Sequence, residues 1–280
     1  MSKQISYDGS ASLYVIPTPI GNMEDITIRA LNTLKFVDVI LCEDTRESSI
    51  LLNKYNIKKK LISCHEFNEF KIKEKIINLL KDGKNIGLIS DQGTPIISDP
   101  GSIITKDIID AGFNVISLPG ATAFVPSLTS SGLNSSRFLF YGFLNSKSTK
   151  AKEELNSLKK FKNTIVFYES VHRINKMLDL LLETFGDRNI VLCRELSKKF
   201  EEIHRGKISD IQKSLNVIKG EFVVVVEGNM EIEGYNKISI LEHINIYMED
   251  GINSKEAIKI VAKERSLPKS VVYSEYHKDK

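Results

Sequence analysis

The sequence predicts an α/β protein of two lobes, the first carrying a largely parallel sheet, followed by a small helical region. Short apolar runs of strand length alternate with stretches of helical apolar spacing. That alternation builds parallel sheets, because a crossover helix must return each strand to the same edge. The pattern changes after Pro119-Gly120, and at 280 residues the chain exceeds one average domain.

In chain order, residues 1–12 are mostly polar and read as an extension. Within a first lobe at 13–118, the apolar runs 13–16, 37–42, 85–90 and 115–118 are expected buried strands. Residues 26–34, 70–80 and 103–111 repeat apolar side chains every three or four positions and are expected helices. Asp82-Gly83 and Ala111-Gly112 act as stops, since glycine accepts the left-handed backbone that ends a helix. In a second lobe at 119–231, residues 121–128 read as a helix interrupted by Pro126, 137–143 as a strand, and 145–162 as a lysine-rich helix. Strands at 164–168, 190–194 and 222–227 follow, separated by helices at 174–185 and 208–217, and Gly228-Asn229-Met230-Glu231 closes the lobe. The region 232–280 holds two short helical patterns, 254–264 and 268–277, around Ser266-Leu267-Pro268.

A composition 41% hydrophobic and 27% charged supports substantial cores and excludes disorder throughout. Net charge is only +3, from 39 basic and 36 acidic residues, so the total implies no general affinity for polyanions. Distribution matters more. Residues 145–162 carry Lys147, Lys150, Lys152, Lys159, Lys160 and Lys162 against Glu153 and Glu154, a local excess of four that can either meet phosphate or solvate a helix face. The tail resembles a helix-turn-helix, but its eight basic and eight acidic residues cancel, so a docking hairpin fits the pattern equally well. Cys42, Cys64 and Cys193 are widely spaced and odd in number, which suggests neither disulfide framework nor zinc ribbon and fits a reducing cytoplasm. No apolar run approaches the ~20 residues that span a bilayer, so no membrane partner is expected.

In a parallel sheet, ligands collect beyond the carboxyl ends of the strands. Four unusual loops follow strands here: Pro17-Thr18-Pro19-Ile20-Gly21-Asn22, Glu43-Asp44-Thr45-Arg46, Ser90-Asp91-Gln92-Gly93-Thr94-Pro95-Ile96-Ile97-Ser98-Asp99-Pro100-Gly101, and Pro119-Gly120-Ala121-Thr122-Ala123. Glycine and proline let backbone approach a ligand while fixing its path. The third loop holds two Gly, two Pro and two Asp in twelve residues, more constraint than a connector needs. Neither G-x-G-x-x-G nor G-x-x-x-x-G-K-[ST] occurs, which counts against hydride and phosphoryl transfer.

Taken in order, Leu13-Tyr14-Val15-Ile16 with the first loop, Glu43-Asp44-Thr45-Arg46, the loop at 90–101, Phe167-Tyr168-Glu169-Ser170, Arg194-Glu195-Leu196 and Lys219-Gly220-Glu221-Phe222-Val223 resemble the bacterial ribosomal RNA small-subunit methyltransferase I family. The resemblance runs from about residue 12 to 230, and the tail resembles that family's small helical region. It implies a tetrapyrrole-methylase-like fold, with a parallel-rich sheet in the first lobe and a mixed sheet in the second. It also implies a cleft between the lobes for S-adenosylmethionine, no metal, and commonly a homodimer. The implied reaction methylates the ribose 2′-hydroxyl of a cytidine in the decoding region of 16S ribosomal RNA. By this resemblance Ser90, Asp91, Gly93, Thr94, Pro95 and Ile96, with Gly120, Ala121 and Thr122, are expected to wrap the cofactor. Tyr168 and Leu196 are expected to join from the second lobe, and the first loop, with Pro17, Pro19, Gly21 and Asn22, to form the floor. The sequence departs from the family pattern at Gln92, where alanine is common, at Val171, where proline often follows Tyr-Glu-Ser, and at Ser197, where threonine is frequent.

A sulfonium donor already makes its methyl electrophilic, so the protein must align a hydroxyl and remove its proton. Candidates for the catalytic work are Glu43, Asp44, Arg46, His65, Glu66, Glu169, Arg194 and Glu195, and spacing does not choose among them. Each has a structural alternative: Glu43 and Asp44 as helix caps, Arg194 and Glu195 as an ion pair, His65 as a buried hydrogen-bonding residue. No Cys, His and carboxylate spacing suggests a metal site, and His172 and His204 read as structural or RNA-facing. Lys147, Lys150 and Lys152 are expected RNA contacts. Two other functions compete. A tetrapyrrole methyltransferase would leave the tail and lysine segment without use. A non-catalytic nucleic-acid-binding protein would not need so many constrained loops.

Overall fold

The computed structural model describes residues 3–215, 219–229, 238–265 and 267–278, in two compact units, Met1–Gly228 and Asn229–Lys280. Residues 216–218, the expected closing residues Met230 and Glu231, and Ser266 of the tail turn lie outside the described residues.

Among the described residues the larger unit contains two five-stranded sheets. In the first, β1 (Ser12–Val15), β2 (Val39–Cys42), β3 (Lys60–Ser63), β4 (Ile86–Leu88) and β5 (Asn114–Ser117) lie in the order β3-β2-β4-β1-β5. Every pairing is parallel. Helices α1 (Ile28–Phe36), α2 (Thr45–Lys54), α3 (Glu69–Lys81) and α4 (Ser102–Asp110) make the returns, so all the loops that follow strands leave at one edge. Gly83 and Gly112 follow α3 and α4 with φ of +78° and +86°, the left-handed geometry of a helix stop.

The second sheet is mixed. Strands β6 (Phe138–Phe143), β7 (Thr164–Glu169), β8 (Asn189–Arg194), β9 (Glu202–Lys207) and β10 (Phe222–Val226) lie in the order β6-β7-β10-β8-β9. Only β6 and β7 run parallel. The central strand β10 is buried along its whole length, which explains its unbroken Phe-Val-Val-Val-Val run. Phe222, Val224 and Val226 face the layer of α7 (Ile174–Phe185), whose Met177, Leu178 and Leu181 recur at helical spacing. Val223 and Val225 face Leu128 of α5 (Phe124–Ser131). Helices α6 (Ser148–Leu158) and α8 (Ile208–Ser214) complete the lobe.

Several expected boundaries move for physical reasons. Ile16, Ile89 and Leu118 extend the apolar runs beyond the strands because they remain buried in the core after the ladder has ended. Helix α5 begins at Phe124 rather than 121, which places Pro126 in its first turn, where no intrahelical N–H is needed; Pro126 therefore does not interrupt it. The apolar pattern missed α2, β3 and β9. Helix α2 buries Ser48 with Leu51 and Leu52 on a polar sequence, while β3 and β9 are edge strands whose exposed polar residues break the apolar run.

Among the described residues the smaller unit has three helices where two were expected: α9 (Ile240–Glu249), α10 (Ser254–Glu264) and α11 (Lys269–His277). A Ser239/Glu242 capping box starts α9. Ile244, Ala257, Ile258, Val261, Val272 and Tyr276 form the unit's own core. His243 is fully buried against Arg265, whose Nε donates to Nδ1 at 3.1 Å while Nη2 donates to the Ile238 and Ser239 carbonyls at 3.0 Å each.

Candidate active site

The loop after β4 is held by the chain around it. Thr18 and Gly93 exchange backbone hydrogen bonds at 2.8 and 3.0 Å, and the Thr18 hydroxyl donates to the Ser90 carbonyl at 3.1 Å. The Thr94 hydroxyl donates to the Ala121 carbonyl at 2.9 Å. At the far end, buried Glu69 of α3 accepts the N–H groups of Gly101 and Ile104 at 2.9 and 3.1 Å, capping α4 where Gly101 has no side chain to do so. Gly120 also sets a limit: a Cβ there would stand 2.5 Å from Pro17 Cβ, so the loops after β1 and β5 touch only because glycine occupies this position.

Backbone strain concentrates on the loop after β4 and on the loop after β8. Ile96, Ser98, Glu195 and Ser197 adopt left-handed φ values of 76°, 66°, 52° and 68°. Such conformations cost non-glycine residues about 1–3 kcal/mol each, most clearly the β-branched Ile96, and cluster at functional sites.

Between the two sheets these loops enclose a cavity of about 420 Å³, a size typical of small-molecule sites. The first lobe contributes Ile20, Asp91, Gln92, Gly93, Thr94, Ile97, Ser98 and Asp99, then Thr122 and Ala123. From the second lobe come Phe143, Tyr168, Glu169, Ser170 and Leu196, with Glu221, Phe222 and Val223. The walls are largely apolar, and each lobe contributes two carboxylates, Asp91 and Asp99 from the first, Glu169 and Glu221 from the second.

Glu221 ties the lobes together at this cavity. Gln92 Nε2 donates to Glu221 Oε1 at 3.1 Å, and Lys198 Nζ donates to Glu221 Oε2 at 2.9 Å and Glu195 Oε1 at 3.1 Å. Glu195 Oε1 also accepts the Glu221 N–H at 3.0 Å. Although burial opposes it, the Glu221 N–H and Lys198 hold the Glu195 carboxyl below its usual range. A second link joins Ser197 to Asp25.

The carboxylates opposite behave differently. Burial, reinforced by the neighbouring Glu43 charge, pushes Asp99 up to about 6, against the lowering effect of the Ser90 hydroxyl. Burial and then Asp91 raise Glu43, and burial raises Asp91 against the stabilising Asp44 N–H. Burial also raises Tyr168, which keeps its phenol protonated while the oxygen accepts the Phe124 N–H at 3.1 Å.

Of the residues expected at the cofactor, Asp91, Gly93, Thr94, Thr122, Tyr168 and Leu196 line the cavity. Ser90 is buried beneath it, its hydroxyl 3.2 Å from the Gln92 carbonyl. Gly120 and Ala121 line a neighbouring groove with Asp25 and Ser197, and Gly21 and Asn22 another with Lys54 and Lys199. Pro17 touches Gly120, and Ile96 packs on the first-lobe core; these two, with Pro19 and Pro95, stand outside the lining.

Among the catalytic candidates, Glu169 alone lines the cavity, its Oε2 lying 3.4 Å from Arg173 Nη2. Glu43 stands close enough to raise Asp99, and His65 close enough to influence Glu43. Glu66 is exposed. Asp44 caps α2 through the Arg46 N–H at 2.8 Å and binds the Arg46 guanidinium at 2.6 Å, which holds its carboxyl down at about 2. Arg194 is paired with Glu202 at 2.8 Å. Lys147 and Lys150 are exposed at the start of α6, whereas Lys152 is paired with Glu183 at 2.5 Å. Among the described residues no group of three His, Cys, Asp or Glu could hold a metal ion.

Sequence reasoning passed over Asp99, Glu221 and Phe143. Asp99 carried a signal, as the second carboxylate of the most constrained loop; the roles of Glu221 and Phe143 depend on how closely the lobes approach.

The two sheets and the cavity between them define an α/β methylase of the tetrapyrrole-methylase class, and residues 12–212 match the family model Tetrapyrrole (Corrin/Porphyrin) Methylases. The chain is similar in fold to uroporphyrin-III C-methyltransferase from Thermus thermophilus, solved with S-adenosyl homocysteine, at a TM-score of 0.58 and 16% identity over 78% of this chain and 97% of that one. Within that class the chain belongs to the ribosomal RNA small subunit methyltransferase I family. It is 46% identical to the Bacillus subtilis (strain 168) member over 99% of both chains and 42% identical to that of Halalkalibacterium halodurans over the full length of both.

Proposed function

We propose that this protein methylates the ribose 2′-hydroxyl of a cytidine in the decoding region of 16S ribosomal RNA, with S-adenosylmethionine as donor. Family membership supports donor-dependent methylation of ribosomal RNA, and the cavity between the lobes is the single observation that carries the site. Its chemistry fits the donor: Ile20, Leu196 and Val223 offer apolar surface to an adenine, Gly93 lets backbone come close, and Asp91 offers negative charge to its ammonium.

The bound donor supplies an electrophilic methyl carbon. The protein's own part is positional. The Thr18–Gly93 bridge and the Glu69 cap fix the loop, while the Gln92–Glu221–Lys198 link joins the lobes around the ligand. Phe143, 51% exposed at the cavity, presents an aromatic face on which a splayed base can stack. Lys147 follows it by four residues and Lys150 by seven, so cationic side chains follow the end of β6.

The expected assembly is a homodimer; exposed Ile28, Phe36, Ile50, Phe67 and Phe70 provide apolar surface for one. Light scattering at micromolar concentration should give twice the 31.6 kDa chain mass.

The function is tested with labelled donor offered to small ribosomal subunits, naked ribosomal RNA and tetrapyrrole precursors. Label is expected in subunits or RNA. Label in a macrocycle alone would defeat the proposal.

A further inference from the structure

Removing a proton from a ribose hydroxyl requires a base within the cavity, and five titratable side chains line it. Four are committed elsewhere. Glu221 holds Gln92 and Lys198. Glu169 accepts the Ser170 N–H at 2.7 Å and faces Arg173. The Tyr168 phenol is kept protonated by burial and accepts the Phe124 N–H. Asp91 is exposed and accepts the Asp44 N–H at 3.3 Å. Asp99 is half-buried where Asp91 is exposed, and its neighbours are the Ser90 hydroxyl and the carboxylates of Glu43 and Asp91. It follows left-handed Ser98 in the loop capped by Glu69, so its position is fixed by backbone held under strain.

We propose that Asp99 is the base that deprotonates the acceptor hydroxyl, and that Glu43 is a positioning residue that sets its basicity. This assignment rests on the methyltransferase reading of the cavity. The ribose O–H bond breaks with its proton passing to an Asp99 oxygen, and the hydroxyl oxygen's electron pair forms the new bond to the methyl carbon. The carbon–sulfur bond breaks at the same time, and its electron pair stays on sulfur as a neutral thioether. A base works best when its pKa lies near the working pH, and burial together with Glu43 moves Asp99 toward that range. The groups facing it are Glu43 after β2, Asp91 on its own loop and Tyr168 on β7.

The test combines calorimetry with S-adenosylmethionine and single-turnover methyl transfer to small ribosomal subunits between pH 5 and 9. It uses the wild type, Asp99→Asn, Asp99→Glu and Glu43→Gln. For Asp99→Asn, donor affinity should stay within about threefold of wild type while transfer slows by roughly 10²–10⁴-fold. Wild-type rate should rise through about pH 6 and level off. Asp99→Asn should lack that rise, Asp99→Glu should restore part of the rate, and Glu43→Gln should move the rise to lower pH. An Asp99→Asn enzyme with an unchanged pH profile and a rate near wild type overturns the assignment, as does one whose rate recovers fully at saturating donor. Wild-type protein that binds no donor would defeat the methyltransferase reading itself and the assignment with it.

Discussion

A buried carboxylate costs several kcal/mol unless hydrogen bonds compensate it, and Glu69 is compensated by two N–H groups of the loop it holds. Glu69→Ala should lower stability by about 2–3 kcal/mol in urea denaturation and weaken donor binding, because the freed N-terminus of α4 lets the loop drift. A variant as stable as wild type would show that the cap does not hold the loop. The exposed Gln92 side chain lines the cavity and bonds Glu221 across it. Gln92→Ala should therefore leave stability unchanged and weaken donor binding by about three- to fivefold, as expected for one net hydrogen bond; calorimetry reads both variants. The family resemblance in the sequence already marked Asp91, Thr94 and Tyr168, all of which line the cavity. It could not mark Glu221, which reads as the polar residue before a buried strand until Lys198 and Gln92 are seen to converge on it.

Among the elements, a helix with one apolar face, such as α7, and a strand apolar on both faces, such as β10, were legible. Edge strand β9, with the sequence Glu-Ile-His-Arg-Gly-Lys, was not, since nothing in its composition requires burial on both faces. The expected helix at 121–128 illustrates the functional cost of such an error: its first three residues are loop, and Thr122 and Ala123 line the cavity. The expected lysine-rich helix at 145–162 shortens to α6, which carries Lys150 and Lys152, with Lys147 at its N-cap and Ala151 and Leu155 turned inward. Neutralising Lys147, Lys150 and Lys152 together should weaken RNA binding while sparing donor binding. Because Lys152 is already paired with Glu183, the slope of log affinity against log salt should fall by about two rather than three. Unchanged RNA affinity at moderate salt would remove this helix from the interface.

At the scale of the whole molecule, each unit has its own core, and the smaller one contains a pH-sensitive element. Burial, with Arg265 adding to it, lowers the pKa of His243 against the opposing pull of Glu264, and a neutral ring accepts the Arg265 N–H at Nδ1. A histidine whose folded pKa is depressed takes up its proton more readily when unfolded, so the stability it contributes is present above its ordinary value of about 6.5 and declines as pH falls through it. Hydrogen exchange in the full-length protein should therefore show α9 and α10 losing protection as pH falls below about 6.5 while β10 stays protected; equal loss in both would contradict this. The proposed reaction makes its sharpest commitment at one atom. Small ribosomal subunits treated with enzyme and S-adenosylmethionine can be digested to nucleosides and mapped by mass spectrometry. The expected product is a single cytidine carrying one added methyl on its ribose, within the decoding region; a methyl on a base, or on a nucleotide outside that region, would contradict it.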